Sequence, residues 1–182
     1  MIPYTTYTDL IIKTREAIIT QSELSDQFVI NAVSVRGPAL NKLISNNEST
    51  SLNLNDGFII FELLRDTESN DNTVLEDDDL DSSDVINRFR LLLKIYGNNS
   101  DSIAQKLLAR FKMKSVLMNL YDQGIWVRNI SFPETINEFI NNTVWPRCDM
   151  EMNIVIRCKI DSITSTPYTE DFGRVIIAHK RD

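Results

Sequence analysis

RCDMEMNIVIRCKID, residues 147–161, decides the fold. Every even position from Cys148 to Ile160 is apolar (Cys148, Met150, Met152, Ile154, Ile156, Cys158, Ile160). The odd positions, Arg147, Asp149, Glu151, Asn153, Arg157, Lys159 and Asp161, are polar, with Val155 the one exception. Successive side chains of a strand point to opposite faces, so this alternation predicts a long strand with one face buried and one wet. The same period decides what the two cysteines of the chain can do. Cys148 and Cys158 are ten residues apart on the inner face, roughly 34 Å at about 3.4 Å per residue. A disulfide needs Cα atoms within about 7 Å, so the pair can neither bridge nor share a metal, and both read as small core hydrophobes.

Outward from this strand, periodicity orders the rest of the chain. Val85–Tyr96 (VINRFRLLLKIY) is a second strand, with Val85, Phe89, Leu91, Leu93 and Ile95 on one face beside Asn87. Arg88, Arg90 and Lys94 share the opposite face with Ile86, Leu92 and Tyr96. GFIIFELL reads as a buried strand, and Phe28, Ile30 and Ala32 mark a short one. Ile125–Phe132 is strand-like and stops at Pro133. Thr8 or Thr5 can cap a first helix reaching about Thr20. After the turn Gly97-Asn98-Asn99, Ser100 can cap a helix whose stripe is Ile103, Ala104, Leu107, Leu108 and Phe111. A second helical piece, Ser115–Asp122, ends at Gly124, a left-handed cap. The C-terminal RVIIAH, residues 174–179, suits a last short strand paired with the parent sheet or with a neighbouring subunit. The expected fold class is α+β: a mainly antiparallel sheet with two principal helices packed on one face and a long acidic loop between strands. Residues 1–161 form the domain, and 162–182 an extension available to a neighbour.

The 182 residues suit one domain, and 42% hydrophobic with 25% charged residues is the composition of a globular protein. No apolar run approaches the roughly 18 residues a membrane helix needs, and the N-terminus lacks the pattern of a secretory signal, so a cytosolic setting is expected. The net charge of −7 is concentrated. Asp66–Val85 holds nine of the 26 acids and no Lys or Arg, leaving 17 acids against 19 bases elsewhere. A nearly neutral body carrying one acidic loop has no basic footprint for gripping nucleic acid. The loop does not fit a calcium-binding EF-hand. Starting from Asp77, its sixth and twelfth positions are Ser82 and Arg88; starting from Asp79, they are Asp84 and Arg90, where Gly and Glu are required. A solvated, self-repelling loop is the simpler reading.

Catalysis has little support. The single histidine, His179, is three residues from the end, and the five glycines form no phosphate-binding loop. Asp149 and Glu151 imitate half of a metal-dependent nuclease site. They alternate, however, with Arg147 and Arg157 on a wet face, the pattern of a plain surface or of a subunit contact. No cofactor is called for.

The order of elements resembles that of bacteriophage neck and tail-terminator (tail-completion, head–tail joining) proteins. The resemblance is carried by a charged strand running into IYGNNSDSIAQKLLARFK, the strand–"YG"–helix unit, then by LMNLYDQGIWVRNIS, and then by a long strand opening near Val144-Trp145-Pro146-Arg147. The N-terminal helix and GFIIFELLRDT fall where that family's first helix and early strand belong. The resemblance covers most of Asp9–Ile160. It implies a non-catalytic virion structural protein, assembled in the host cytoplasm, which forms a ring, often hexameric. Such a ring caps the tail tube and joins it to the head connector while DNA passes through the lumen without sequence-specific binding. Its partners would be itself, the head connector or adaptor, and the tail-tube protein. Candidate subunit-interface residues are Arg147, Asp149, Glu151 and Arg157. Candidate channel or loop contacts are Asp77, Asp78, Asp79, Asp81 and Asp84. Another tail or baseplate adaptor, or a small metal-dependent nuclease, is the alternative.

Overall fold

The computed structural model describes residues 3, 5–32, 57–65, 84–140 and 143–159. Helix α1 (Tyr7–Ser22) is capped by Thr6, whose hydroxyl accepts from the Asp9 N–H at 3.1 Å and donates to the Asp9 carboxylate at 2.8 Å. Neither Thr5 nor Thr8 is the cap. Thr5 instead ties the N-terminal segment down: its N–H donates to the Arg157 carbonyl at 2.9 Å and its hydroxyl to that of Gln123 at 3.0 Å. The helix ends at Glu23, a non-glycine residue with φ of 62°, whose N–H donates to Ile19 O.

A 3-10 turn (Asp26–Phe28) leads to β1 (Val29–Asn31), and β2 (Phe58–Arg65) and β3 (Asp84–Tyr96) follow. Helix α2 (Ser100–Phe111) starts after Asn99, which makes no side-chain capping bond, so Ser100 lies inside the helix rather than capping it. Helix α3 (Lys114–Asp122) ends as expected at Gly124, where φ is 85°. Gly124 N–H bonds Tyr121 O and Ile125 N–H bonds Leu120 O, the paired closure that a left-handed glycine permits. A side chain at Gly124 would also strike Thr5 Oγ1 and the Pro3 carbonyl, so the small residue admits the N-terminal segment as well. Strands β4 (Trp126–Ile130), β5 (Glu134–Ile140) and β6 (Thr143–Lys159) complete the described fold.

The six strands form one sheet in the order β1-β2-β3-β6-β4, antiparallel throughout except for β1 against β2. Strand β5 also pairs with β6, so β4 and β5 follow each other along one edge of the long strand. They meet at Ser131, which exchanges two 2.8 Å bonds with the Glu151 backbone: its N–H donates to Glu151 O, and its Oγ accepts from Glu151 N–H. Strand β5 has no counterpart in the periodicity, and it forms a hairpin with β6. The long strand accordingly starts at Thr143, with Pro146 inside it opposite Asn137.

One continuous core lies between the sheet and the helices. It joins Leu10 and Ile18 of α1, the α2 stripe of Ile103, Ala104, Leu107, Leu108 and Phe111, and Leu120 of α3. From the sheet it takes Ile59, Phe61, Leu63, Phe89, Leu91, Leu93, Ile95, Cys148, Met150, Met152, Ile154 and Ile156. The helices therefore cover one sheet face, giving the α+β architecture expected. Each fully buried side chain of this kind is worth about 1.5–3 kcal/mol of transfer free energy. The acidic segment lies outside the described residues except at its end, where Asp84 opens β3 opposite Lys159. The C-terminal extension, including RVIIAH, also lies outside them.

Candidate functional site

The opposite face of the sheet carries the charges. Register aligns Lys94 of β3, Asp149 of β6 and Glu134 of β5 in one row across three strands. The next row holds Tyr96, Arg147 and Ile136. Leu92 lies opposite Glu151, and Glu138 opposite Trp145. Opposite charges in neighbouring rows are within reach of each other, which is how long side chains couple strands.

Arg147 is the hub. Its guanidinium bonds Glu138 Oε2 on β5 at 2.6 Å and Asp149 Oδ2 on its own strand at 2.9 Å. Nε also lies 2.8 Å from Asp149 Oδ1, an ion-pair contact rather than an aligned hydrogen bond. The guanidinium carbon is 5.9 Å from the centre of the Tyr96 ring, and the Tyr96 hydroxyl donates to Glu138 Oε2 at 2.8 Å. Burial works against the Arg147 charge, but the Glu138 and Asp149 carboxylates outweigh it and raise its pKa. Burial likewise works against the Glu138 charge, and the bonds from Tyr96 and Arg147 hold its carboxyl below the usual range. Tyr96 is pushed up by burial and by Glu138. Its ring stacks on Phe58, with centroids 4.8 Å apart and planes at 8°, and Phe58 meets Trp145 edge-on at 6.0 Å. With Ile60 these aromatics form a second, smaller core under the charged cluster.

The residues singled out from the sequence separate. Arg147 and Asp149 are brought together, and Glu151 flanks them. Along one recess of about 320 Å³, Asp149 and Glu151 are joined by Lys94, Glu134, Ser131 and Phe132. Arg157 is different: it is 3% exposed, and Val155 beside it is equally buried, so the face expected to be wet is covered at that end. Alternation assigns a residue to a face but does not say what packs on that face. Asp77, Asp78, Asp79 and Asp81 lie outside the described residues, and of Asp84 only the backbone pairing is described. Cys148 is a buried thiol whose pKa is raised by burial, as a core residue's would be. Cys158 lies on the same continuous strand, opposite Val85.

Glu138 and Tyr96 were not legible as partners of Arg147. The two-residue period puts Tyr96 on this face, but Glu138 belongs to a strand that shows no apolar alternation. The engagement of Asp149 by Arg147 leaves little of a paired-acid site. Among the described residues, no group of three His, Cys, Asp or Glu side chains is placed to hold a metal.

No curated protein matches the chain significantly. A family model described as "Phage neck terminator protein" matches residues 23–175, which is most of the sequence. The chain therefore belongs to the phage neck terminator protein family, structural proteins of the virion's neck that meet other head and tail proteins.

Proposed function

We propose that this protein is a non-catalytic ring subunit that caps the tail tube and joins it to the head connector. The observation that carries the reading is the family match over residues 23–175. The geometry supports it: a core covered on one side by helices leaves a charged sheet face and a hairpin for contact with neighbours. The ring is taken as hexameric, and Arg147, Asp149 and Glu151 as residues near its contacts. A closed ring of identical subunits needs two different complementary patches on each chain. The acidic loop with Asp77, Asp78, Asp79, Asp81 and Asp84 is assigned to the lumen, where negative charge keeps passing DNA from sticking.

Electron microscopy of virions carrying a label on this chain tests the assignment. Density confined to the neck, with the symmetry of a ring, is the expected result. A label along the tube or at its distal end would overturn it in favour of another tail or baseplate adaptor. Replacing Asp77, Asp78, Asp79 and Asp81 by Asn is expected to slow DNA ejection. Normal ejection from such particles removes the loop from the lumen.

A further inference from the structure

Strand β6 pairs with β3 on one side and with β4 and β5 on the other, and among the described residues β5 pairs with β6 alone. In an edge strand every second residue turns its N–H and C=O away from the sheet, which makes a template for another strand. The two strands along this edge differ in how they meet that hazard. Strand β4 shifts register between Val127 and Asn129, and the exposed Arg128 between them lies 5.3 Å from the centre of the Trp126 ring, so its edge is bent and charged. Strand β5 keeps unbroken register from Glu134 opposite Asp149 to Ile140 opposite Thr143, and ETINEFI contains no Pro, Gly or Lys. Arg147 draws Glu138 onto its own sheet. What remains is a regular seven-residue edge, whereas β1 at the opposite end of the sheet has three residues.

An open edge accepts either a second β5 or an extended segment. Two β5 strands paired across a two-fold axis close a dimer and leave no edge for a third copy, which a ring needs. The C-terminal RVIIAH offers Val175, Ile176 and Ile177, a β-branched run, with Arg174 before it and Lys180-Arg181 after it. Strand β6 ends at Lys159, so 14 residues, 160–173, precede Arg174. To lie antiparallel on β5 of its own chain, the segment would begin beside Ile140, which pairs with Thr143. That point is roughly 54 Å back along β6 at about 3.4 Å per residue. Fourteen residues span at most about 46–50 Å fully extended. The antiparallel arrangement, the more stable of the two per residue, therefore takes its strand from another copy.

We infer that residues 174–179 of one copy pair antiparallel with the open edge of β5 in the next, extending the sheet from chain to chain. The inference rests on the ring reading and adds which two parts of the chain close the ring. Hydrogen exchange of the full chain, followed together with sedimentation velocity over a wide concentration range, tests it. Protection of β5 amides is expected to rise with concentration, in step with self-association. Val175→Pro combined with Ile176→Pro removes consecutive N–H donors, which point to opposite edges of a strand, and is expected to abolish both effects. The thermal melt of that variant at low concentration should match the parent's, because no residue of the described core lies beyond Ile156. Ile176→Val, which keeps the backbone donor, is expected to assemble like the parent. A proline variant that still assembles with β5 protected overturns the inference in favour of β5–β5 pairing. Protection of β5 that does not change with concentration also overturns it, and gives the edge to the chain's own segment in parallel. A parent chain that stays monomeric throughout overturns this contact too, while the neck assignment is read separately from labelled virions.

Discussion

The two faces of one sheet behave differently although the same strands build both. On the helix side, Phe61, Leu93 and Met150 align across β2, β3 and β6, and each is nearly or fully buried. Two residues further along, Ile59, Ile95 and Cys148 repeat the arrangement. On the other side the matching rows alternate in chemistry, from the aromatic Phe58–Tyr96–Arg147 to Ile60–Lys94–Asp149. The covered face is held by non-directional burial that tolerates similar shapes. The charged face is held by a few directional bonds around Arg147, where losing one partner strands another. Stability thus resides on the first face, and the placement of the hairpin on the second.

The most severe test of that division is Phe61→Ala, expected to cost about 3–5 kcal/mol in chemical denaturation through lost burial and the cavity left behind. A cost under about 1 kcal/mol would mean that this face is not the core. Arg147→Met keeps the apolar stem but leaves Glu138 and Asp149 without their cation, and a loss of about 1–3 kcal/mol is expected. Hydrogen exchange should quicken in β5 more than in β2. Uniform quickening would show that Arg147 serves the whole sheet rather than the hairpin. Tyr96→Phe removes the hydroxyl that donates to Glu138 and keeps the stacked ring, for an expected loss of about 0.5–1.5 kcal/mol. Glu151→Gln changes a side chain whose backbone alone is tied to Ser131, and a change within about 0.5 kcal/mol is expected.

The smallest effect belongs to neither face. Glu23, at the end of α1, binds Lys106 and Arg110, and their hydrogen bonds lower its pKa from 4.5 to about 2. A carboxyl with a lowered folded pKa contributes stability in full above its unfolded value and loses it as pH falls through the folded one. The difference between the parent chain and Glu23→Gln should be flat above about pH 5 and shrink between 4.5 and about 2. It should also shrink with added salt, because the pair is exposed to solvent. A difference that instead grew toward pH 2 would exclude the ion pair as its source.

Much of the architecture was legible because it depends on patterns that burial enforces. The even residues from Cys148 to Ile156 all lie in the core, as do Phe89, Leu91, Leu93 and Ile95 and the whole α2 stripe. Gly124 was legible because a glycine just past a helix stop takes the left-handed position without the steric cost a side chain would carry. The caps of α1 and α2 were misplaced by one or two residues, Thr6 for Thr5 or Thr8 and Asn99 for Ser100, since Thr5, Thr6 and Thr8 carry the same hydroxyl and Asn99 makes no side-chain capping bond that would single it out. Strand β5 was not legible. ETINEFI buries neither face fully, with Phe139 exposed and Glu138 satisfied by Arg147, so no period of two appears. Its partner relations, and with them most of the candidate site, were hidden for the same reason.

The chain's own residues determined which side chains share a face, because a strand's two-residue period and a helix's 3.6-residue period leave that choice no freedom. They also determined that Cys148 and Cys158 cannot cooperate, because an extended strand holds them roughly 34 Å apart at about 3.4 Å per residue. Only the tertiary structure decided that Arg157 is buried while Arg147 holds a hairpin in place. Those outcomes depend on which distant segments come to lie against each strand, and register between segments is set by packing rather than by local pattern.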